Sequence, residues 1–468
     1  MSVLDSEDRP AQPEPKPPLP IRPVPKPLNA TQPVRILLWL SVIVAIAAVG
    51  YFIWVSLGVW AKHGLDFSVY WYGGKILNDA GAAPSDLYAG NVDWAGGPGL
   101  KFTYPPFAAL LFSFLARLPQ VTALTLFNTA GAVVGILAAV RTVRYWNAKT
   151  NWRATFRSPR NCWAAAVVVL ALLNLGPWRE TLVFGQINIL LMGLMAADLL
   201  ARNSRWTRGI PGSGFLVGVA AGIKLTPLVF GLYYVVRKDW RGLCNMAAGF
   251  TVTVVIGWLL RPVESLQFWL QMLPDTSRMG GAGYVDNLSL KGALLHFGVP
   301  EPLVTVPWLV LSLAVVALGA GVIKAASDQG ARVVAVAATA LTMLLISPVS
   351  WSHHWVWVGA VFPAFAWTLR ETPRRYARMR WTMGGVLGVS MLVFLFSPKT
   401  IGTALGAQNL DLQTPGLWIM ASSAGVFCAV ALLVCWLVAL RRDSVAPELD
   451  LASMPAAEVD VRTSAVSS

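Results

Sequence analysis

Long apolar segments separated by short polar loops run through most of the chain, and they predict membrane-spanning helices. A helix that crosses a bilayer needs about 20 apolar residues, and several of the segments are shorter than that. Lys224 and Pro227 fall between two of the short segments, which indicates a broken hairpin there. The predicted spans are 36–60, 120–141, 162–178, 183–201, 213–224, 225–236, 243–260, 304–325, 332–350, 354–370, 381–397 and 416–440.

The composition agrees with an all-α integral membrane protein built as a bundle of about 12 transmembrane helices. Hydrophobic residues make up 56% of the 468 residues and charged residues 13%, against about 25% charged in soluble domains. The apolar residues 105–118 predict a further helix that dips into the membrane without crossing it. The net charge of +14 is spread over short clusters between apolar segments, a pattern that indicates membrane topology and no nucleic-acid partner.

Alternate loops carry an excess of Lys and Arg, which predicts that these loops lie in the cytosol. Both termini then lie in the cytosol as well, and the protein is a multi-pass protein of the plasma membrane. The two longest loops, about 61–104 and 261–303, fall on the opposite, periplasmic side. The basic loop residues are Arg141, Arg144, Lys149, Arg153, Arg157, Arg160, Arg202, Arg205, Arg208, Arg237, Lys238, Arg241, Arg370, Arg374, Arg375, Arg378, Arg380, Arg441 and Arg442.

The chain divides into one membrane domain and two tails. Residues 1–34 are rich in proline and predict a disordered cytosolic tail, residues 35–442 form the membrane domain, and residues 443–468 predict a second disordered tail. The four cysteines form no CxxC pair, so neither a metal site nor a disulfide framework is indicated.

One carboxylate stands among aromatic residues directly after the first predicted span, in "KHGLDFSVYWYGG" (62–74). At the depth of the membrane–water interface, the charged side chain of Asp66 is expected to contact water, to pair with another group or to have a functional role. A solvated loop acid is one interpretation, and the nearby Tyr70 and Trp71 are also typical of an interfacial aromatic belt. Tyr104 lies in "FTYPPFAALL" (102–111), where the prolines predict a rigid start to the next helix.

Polar side chains also mark the ends of other apolar segments. In "GPWRETLVFGQINILLMGL" (176–194), Arg179 either binds a phosphate or pairs with Glu180. Gln186 and Asn188 either hold sugar hydroxyls or satisfy neighbouring backbone groups. Lys224 in "GIKLTPL" either reaches back to the membrane surface or binds a lipid phosphate.

The segment "ISPVSWSHHWVW" (346–357) places Trp351, His353 and His354 between two predicted spans. Adjacent helical residues point about 100° apart, so at most one histidine is expected to face a given site. A zinc site needs three or four converging ligands, and no spacing in the sequence supports one. Asn287 in "GYVDNLSLKGALLHFG" is a further substrate-contact candidate or a helix-capping residue.

Several motifs that would indicate other chemistry are missing from the sequence. The chain contains no P-loop, no GxGxxG, no HExxH, and no GxSxG on a strand-like segment. The sequence therefore gives no support to a cytosolic enzyme driven by a soluble nucleotide.

Six motifs in this order resemble the GT-C membrane glycosyltransferases of family 87. They are "GLDFSVYW", "LY" at 87–88, "YPPF", "GQINILLM", "GIKLTPL" and "SPVSWSHHW", and they span roughly residues 60–360. The resemblance is to the branch of actinobacterial polyprenol-phosphate-mannose-dependent α-1,2-mannosyltransferases. The "SWSHHW" segment favours this branch over the related arabinofuranosyltransferases.

The resemblance implies a GT-C helix bundle whose cavity opens to the periplasm. It implies inverting transfer of mannose from polyprenyl-phosphate-mannose to a glycolipid acceptor, a phosphatidylinositol mannoside or lipomannan, without cofactor or metal. Asp66 matches the family's general base, and donor-phosphate contacts are expected from His354, His353, Lys224 and Arg179. The expected substrate contacts are Tyr70, Trp71, Tyr104, Gln186, Asn188, Asn287 and Trp351.

Two alternatives stay open at the level of sequence. One is a different outer-face lipid-sugar transferase, such as an arabinofuranosyltransferase or an oligosaccharide ligase. The other is a secondary transporter, a class that commonly shows two related halves with matching broken helices. Only one broken hairpin is predicted here, at residues 213–236, which disfavours the transporter.

Overall fold

A computed structural model describes residues 64–84, 86–92, 99–146, 159–200, 214–274, 281–397 and 421–441. The first predicted span, 36–60, and both predicted tails lie outside the described residues. The part of the chain that is described is almost entirely helical, as predicted. Its one sheet is a short antiparallel pair, Asn91–Val92 with Leu100–Lys101.

The α-helices of the described ranges are Leu65–Asn78, Asp86–Ala89, Pro106–Leu115, Gln120–Trp146, Pro159–Asn174, Gly176–Phe184, Asn188–Leu200, Phe215–Ile223, Gly231–Val236, Trp240–Leu260, Pro262–Gln267, Leu290–His296, Thr305–Asp328, Arg332–Ile346, Val358–Glu371, Ala377–Phe396 and Ala424–Arg441. The 3₁₀ helices are Thr226–Phe230, Glu301–Leu303, Ser352–Trp357 and Arg374–Tyr376, and Phe268–Met272 is a π-helix.

Within the described ranges, five helices are long and apolar enough to span a membrane, so the predicted number of about 12 spans is not confirmed. The five are Gln120–Thr142, Trp240–Leu260, Thr305–Asp328, Arg374–Phe396 and Ala424–Arg441. A sixth span is obtained only if the bent pair Asn161–Asn174 and Gly176–Phe184, which meet at 69°, is counted as one. Other predicted spans are shorter helices of 10–17 residues, such as Asn188–Leu200 and Arg332–Ile346.

The long helices expose large apolar side chains, which is typical of a surface that faces lipid. Leu259 is 76% exposed and Leu313 is 70% exposed. Monomeric soluble proteins rarely leave contiguous apolar surface of this kind in water. The described part of the chain is therefore a helical membrane protein.

Two close contacts between helices fix the positions of the helices that carry candidate site residues. The helix Leu65–Asn78 lies against Pro106–Leu115, and a Cβ at Gly74 would come within 2.5 Å of the Phe112 carbonyl oxygen. The helix Gly176–Phe184 lies against the 3₁₀ helix Ser352–Trp357, where the Trp178 indole donates to the Val356 carbonyl at 2.8 Å. Chain segments far apart in sequence are thereby held side by side.

Candidate active site

Asp66 lies in the first turn of Leu65–Asn78, outside the candidate spans, and is partly buried. Withdrawal of the carboxylate from water raises the pKa of Asp66 to about 6. The side-chain amide of Gln186 and the positive charge of Lys224 oppose this rise. Asp66 is therefore an ionised carboxylate at neutral pH with the proton affinity of a useful general base.

Gln186 reaches Asp66 because the chain turns sharply just before it. The helix Gly176–Phe184 ends at Gly185, whose φ of 66° lies in the left-handed region. A Cβ there would come within 2.6 Å of the Phe67 Cβ and 2.7 Å of Leu124. Glycine thus satisfies both the backbone conformation and the close approach to the Asp66 helix.

Two tyrosines hold the amide of Gln186 in place. The Tyr70 hydroxyl donates to Gln186 Oε1 at 2.7 Å and lies 2.9 Å from the Tyr104 hydroxyl. The Tyr70 ring is fully buried and stacks on Phe112 with ring centroids 4.5 Å apart. Tyr70 therefore positions Gln186, whereas Tyr104 is partly exposed.

Lys224 follows the last residue of Phe215–Ile223, where the backbone becomes extended. Its ammonium group donates to Asn188 Oδ1 at 2.9 Å and lies 3.1 Å from His354 Nε2 and 5.8 Å from the Tyr104 ring centre. An ammonium group only donates, so His354 Nε2 accepts and the imidazole carries its hydrogen on Nδ1. The side chain points into the protein and does not reach back to the surface.

The two adjacent histidines reach different neighbours, in line with the expectation that at most one faces a given site. Their rings are 84° apart in orientation with centroids 4.8 Å apart. The His353 carbonyl accepts hydrogen bonds from Thr181 and Asn188, each at 2.9 Å. Asn188 therefore links the turn of both histidines to Lys224.

Three predicted site residues lie apart from this group. Arg179 donates to the Asn174 carbonyl at 3.4 Å, and the described ion pairs include none between Arg179 and Glu180. The Trp71 indole donates to the Leu118 carbonyl at 3.0 Å. Trp351 lies edge-on to Tyr284, with ring centroids 5.6 Å apart.

Asn287 is fully buried and its side chain binds the backbone. Its amide nitrogen donates to the carbonyls of Ala282 and Pro348, and its oxygen accepts from the backbone amides of Ser289 and Ser350. These bonds join the loop before Leu290–His296 to the segment before the histidines. Of the two interpretations of this polar segment, the structure thus favours a structural role for Asn287.

An acidic group beside the histidines was not predicted from the sequence. Side-chain ligand atoms of Glu180, Asp286 and His353 all lie within 4.8 Å of one another. The Ser352 hydroxyl forms hydrogen bonds with both Glu180 and Asp286. Because these residues are separated by up to 173 positions, no local spacing could have indicated the group.

A small cleft begins at Asn188 and His354 and continues between apolar side chains. The remaining lining residues are Leu191, Met192, Met195, Thr226, Pro227, Met343, Leu344, Ser347, Ser350 and Trp357. The lining thus combines polar and apolar side chains, and its three methionines can adapt to irregular apolar groups.

The chain is similar to known mycobacterial enzymes. It is 35% identical, over 63% of its length and 68% of the relative's, to the polyprenol-phosphate-mannose-dependent alpha-(1-2)-phosphatidylinositol mannoside mannosyltransferase of Mycolicibacterium smegmatis. The Mycobacterium tuberculosis protein of the same name is 33% identical, over 69% of this chain and 74% of the relative. A pentamannoside mannosyltransferase of M. smegmatis is 31% identical, over 71% of this chain and 77% of the relative.

No solved structure matches the chain. The model of glycosyltransferase family 87, in contrast, matches residues 102–348, which is just over half of the sequence. That range contains Tyr104, Gln186, Asn188 and Lys224, while Asp66 and His354 lie outside it. The chain belongs to glycosyltransferase family 87.

Proposed function

We propose that this glycosyltransferase moves mannose from polyprenyl-phosphate-mannose to a phosphatidylinositol mannoside, with Asp66 as the general base. The observation that supports the assignment is that Asp66, at the start of Leu65–Asn78, is hydrogen-bonded to Gln186 and interacts electrostatically with Lys224. The names of the relatives supply the donor and the acceptor class.

The donor phosphate is assigned to Lys224 and His354. An ammonium group provides charge-assisted donation to a phosphate, and it stabilises the negative charge that develops on the leaving group. We assign the isoprenoid chain next to that phosphate to the cleft that begins at His354, because Met192, Met195 and Met343 line it with apolar groups. A donor that arrives through the lipid also explains why no soluble-nucleotide motif is present.

The proposed reaction is a single displacement. The acceptor hydroxyl oxygen forms a bond to the anomeric carbon while the bond from that carbon to the phosphate oxygen breaks. The electron pair of the broken bond goes to the phosphate, and the hydroxyl proton goes to Asp66. Attack from the opposite face converts a β-linked donor into an α-linked product.

The groups around Asp66 are assigned to sugar binding and orientation. The partly exposed Tyr104 ring contacts a mannose ring, and its hydroxyl is held by Tyr70 at 2.9 Å. The amide of Gln186 orients the carboxylate of Asp66 toward the acceptor hydroxyl. Correct placement of the base and both substrates adds to the rate beyond proton transfer itself.

The active site is proposed to open to the periplasm, as in a GT-C bundle. The basic loops support this orientation, because the positive-inside rule places them in the cytosol. Asp66, in the first turn of Leu65–Asn78, follows the predicted first span and would then lie on the opposite side of the membrane from these loops. Acceptor and donor then both approach from the outer leaflet.

The test uses the purified full chain in lipid nanodiscs. Labelled polyprenyl-phosphate-mannose and its arabinose counterpart are offered separately with phosphatidylinositol mannosides of increasing length, including the pentamannoside. We expect label only from the mannose donor and an α-1,2 linkage in the product. The shortest acceptor that is extended identifies the natural step.

Asp79→Asn is the matched control, because Asp79 is an exposed acid next to the end of the same helix. Transfer by Asp79→Asn and none by Asp66→Asn supports the assignment of the base. Transfer of arabinose alone overturns the donor, and transfer from neither donor overturns the proposed function.

A further inference from the structure

We propose that Glu180, Asp286 and His353 form a site for a divalent cation of the zinc class, next to the transferase site. Glu180 comes from the helix Gly176–Phe184, Asp286 from the loop before Leu290–His296, and His353 from the helix Ser352–Trp357. Their ligand atoms lie within 4.8 Å of one another. This inference does not depend on the identity of the sugar donor.

The three ligand groups favour a metal of borderline hardness, such as Zn²⁺, over Mg²⁺ or Ca²⁺. Two carboxylates and one imidazole are common ligands of Zn²⁺, whereas Mg²⁺ and Ca²⁺ prefer a shell made of oxygen atoms. Bonds of about 2.0–2.2 Å place tetrahedral ligand atoms about 3.4 Å apart. The three groups would have to approach one another to that separation when a metal binds.

The hydroxyl of Ser352 provides an independent argument for a cation. Its oxygen lies 3.0 Å from Asp286 Oδ2 and is also hydrogen-bonded to Glu180 Oε2. A serine hydroxyl has one hydrogen, so Ser352 can donate to only one of the two carboxylates. A cation or a carboxyl proton between the oxygens of the other contact would make that contact favourable.

A cation is favoured over an extra proton by the third ligand. The imidazole of His353 shares the site, and its side chain is almost completely buried, as is that of Asp286. A second hydroxyl, from Ser397, donates to Glu180 Oε1 at 3.0 Å and orients that carboxylate. Ion pairs in the described ranges include no Lys or Arg partner for Glu180.

A cation here would affect catalysis only by fixing the position of protein groups. It would join the helix Gly176–Phe184 and the loop that carries Asp286 to the 3₁₀ turn that carries both histidines. The His353 carbonyl already holds Asn188, which binds Lys224. The bound metal would therefore set the position of the donor-phosphate contacts without touching the substrate.

The test measures metal binding directly on the full chain in nanodiscs. The protein is stripped with a chelator and titrated with Zn²⁺ alone, and retained metal and thermal unfolding are recorded. We expect about one retained Zn²⁺ per chain and a higher unfolding temperature with Zn²⁺, since a ligand that binds only the folded state stabilises it. Ca²⁺ at the same concentration is expected to give neither effect.

Glu180→Gln and Asp286→Asn are each expected to weaken Zn²⁺ binding at least about tenfold, because each replaces a charged ligand with a neutral amide. The matched control is Glu301→Gln, which removes an exposed carboxylate that is not part of the group and is expected to bind Zn²⁺ like the parent.

If the parent protein retains no zinc and is not stabilised by it, the proposal is overturned by that result alone. If Glu180→Gln and Asp286→Asn bind Zn²⁺ as tightly as the parent and the control Glu301→Gln, the proposal is also overturned, since the zinc would then be held elsewhere. Either result would leave a shared proton as the link between the two carboxylates.

Discussion

The two adjacent histidines of one 3₁₀ turn face regions of opposite character. His354 meets the ammonium group of Lys224, while His353 meets the carboxylates of Glu180 and Asp286. The first region combines one acid, one cation and polar aromatic groups around a cleft. The second is acidic, and its Asp286 and His353 side chains are almost fully buried.

We propose that this difference separates substrate binding from structural support. The region around Lys224 places a donor-only cation beside His354, which lines the cleft, so a phosphate there would have a partner to bind. The region around Glu180 holds two carboxylates and an imidazole, which suit a cation better than a phosphate. A single turn thus serves both regions because neighbouring side chains diverge while they share one backbone.

The largest expected effect is that of Asp66→Asn. An amide cannot accept the acceptor proton, so we expect kcat to fall by about 10²–10⁴. Donor binding should change little, because the donor contacts are assigned to other residues. Single-turnover transfer and donor titration measure the two effects separately. Full activity would make Asp66 a solvated acid and remove the catalytic role from this region.

Lys224→Met comes second and tests the assignment of the phosphate. Loss of a charge-assisted contact worth about 1.5–3 kcal/mol should weaken donor binding by about 10–100-fold. Titration with polyprenyl-phosphate-mannose measures this, and Lys75→Met, which removes an exposed lysine, is the control. Unchanged donor affinity would mean that the phosphate binds elsewhere.

The pH dependence of transfer should show the ionisation of the base. The carboxylate acts only when deprotonated, so with a pKa of about 6 for Asp66 kcat should be flat above that pH. Below it, kcat should fall about tenfold per pH unit. Because the charge of Lys224 lowers this pKa, Lys224→Met should move the break to higher pH. A profile without a break near 6 would argue against Asp66.

The smallest expected effect is that of Tyr70→Phe. This change removes one hydroxyl that holds Gln186 and Tyr104, so we expect kcat to fall by about 3–10-fold, from a net hydrogen bond of about 0.5–1.5 kcal/mol. Tyr72→Phe, two residues away on the same helix, should behave like the parent in the same transfer assay. An effect equal to that of Asp66→Asn would point to a direct role in catalysis.

The regular part of the fold could be predicted because apolar helices leave a local signal. The boundaries of Gln120–Trp146 and Thr305–Asp328 lie close to the predicted spans. The prediction was weaker where helices break. Residues 162–178 were predicted as one span, yet the helix ends at Asn174 and the next one begins at Gly176 at an angle of 69°, with Pro177 in its first turn.

The sequence by itself determined the membrane character and the family resemblance, and it indicated most residues of the proposed transferase site. Asp66, Gln186 and Lys224 each stood out because a polar group next to an apolar segment is costly without a partner. Only the tertiary structure decided that these groups meet, that Arg179 and Trp71 bind elsewhere, and that His353 joins two distant acids. Such contacts depend on packing between remote segments, and no local pattern of residues encodes that packing.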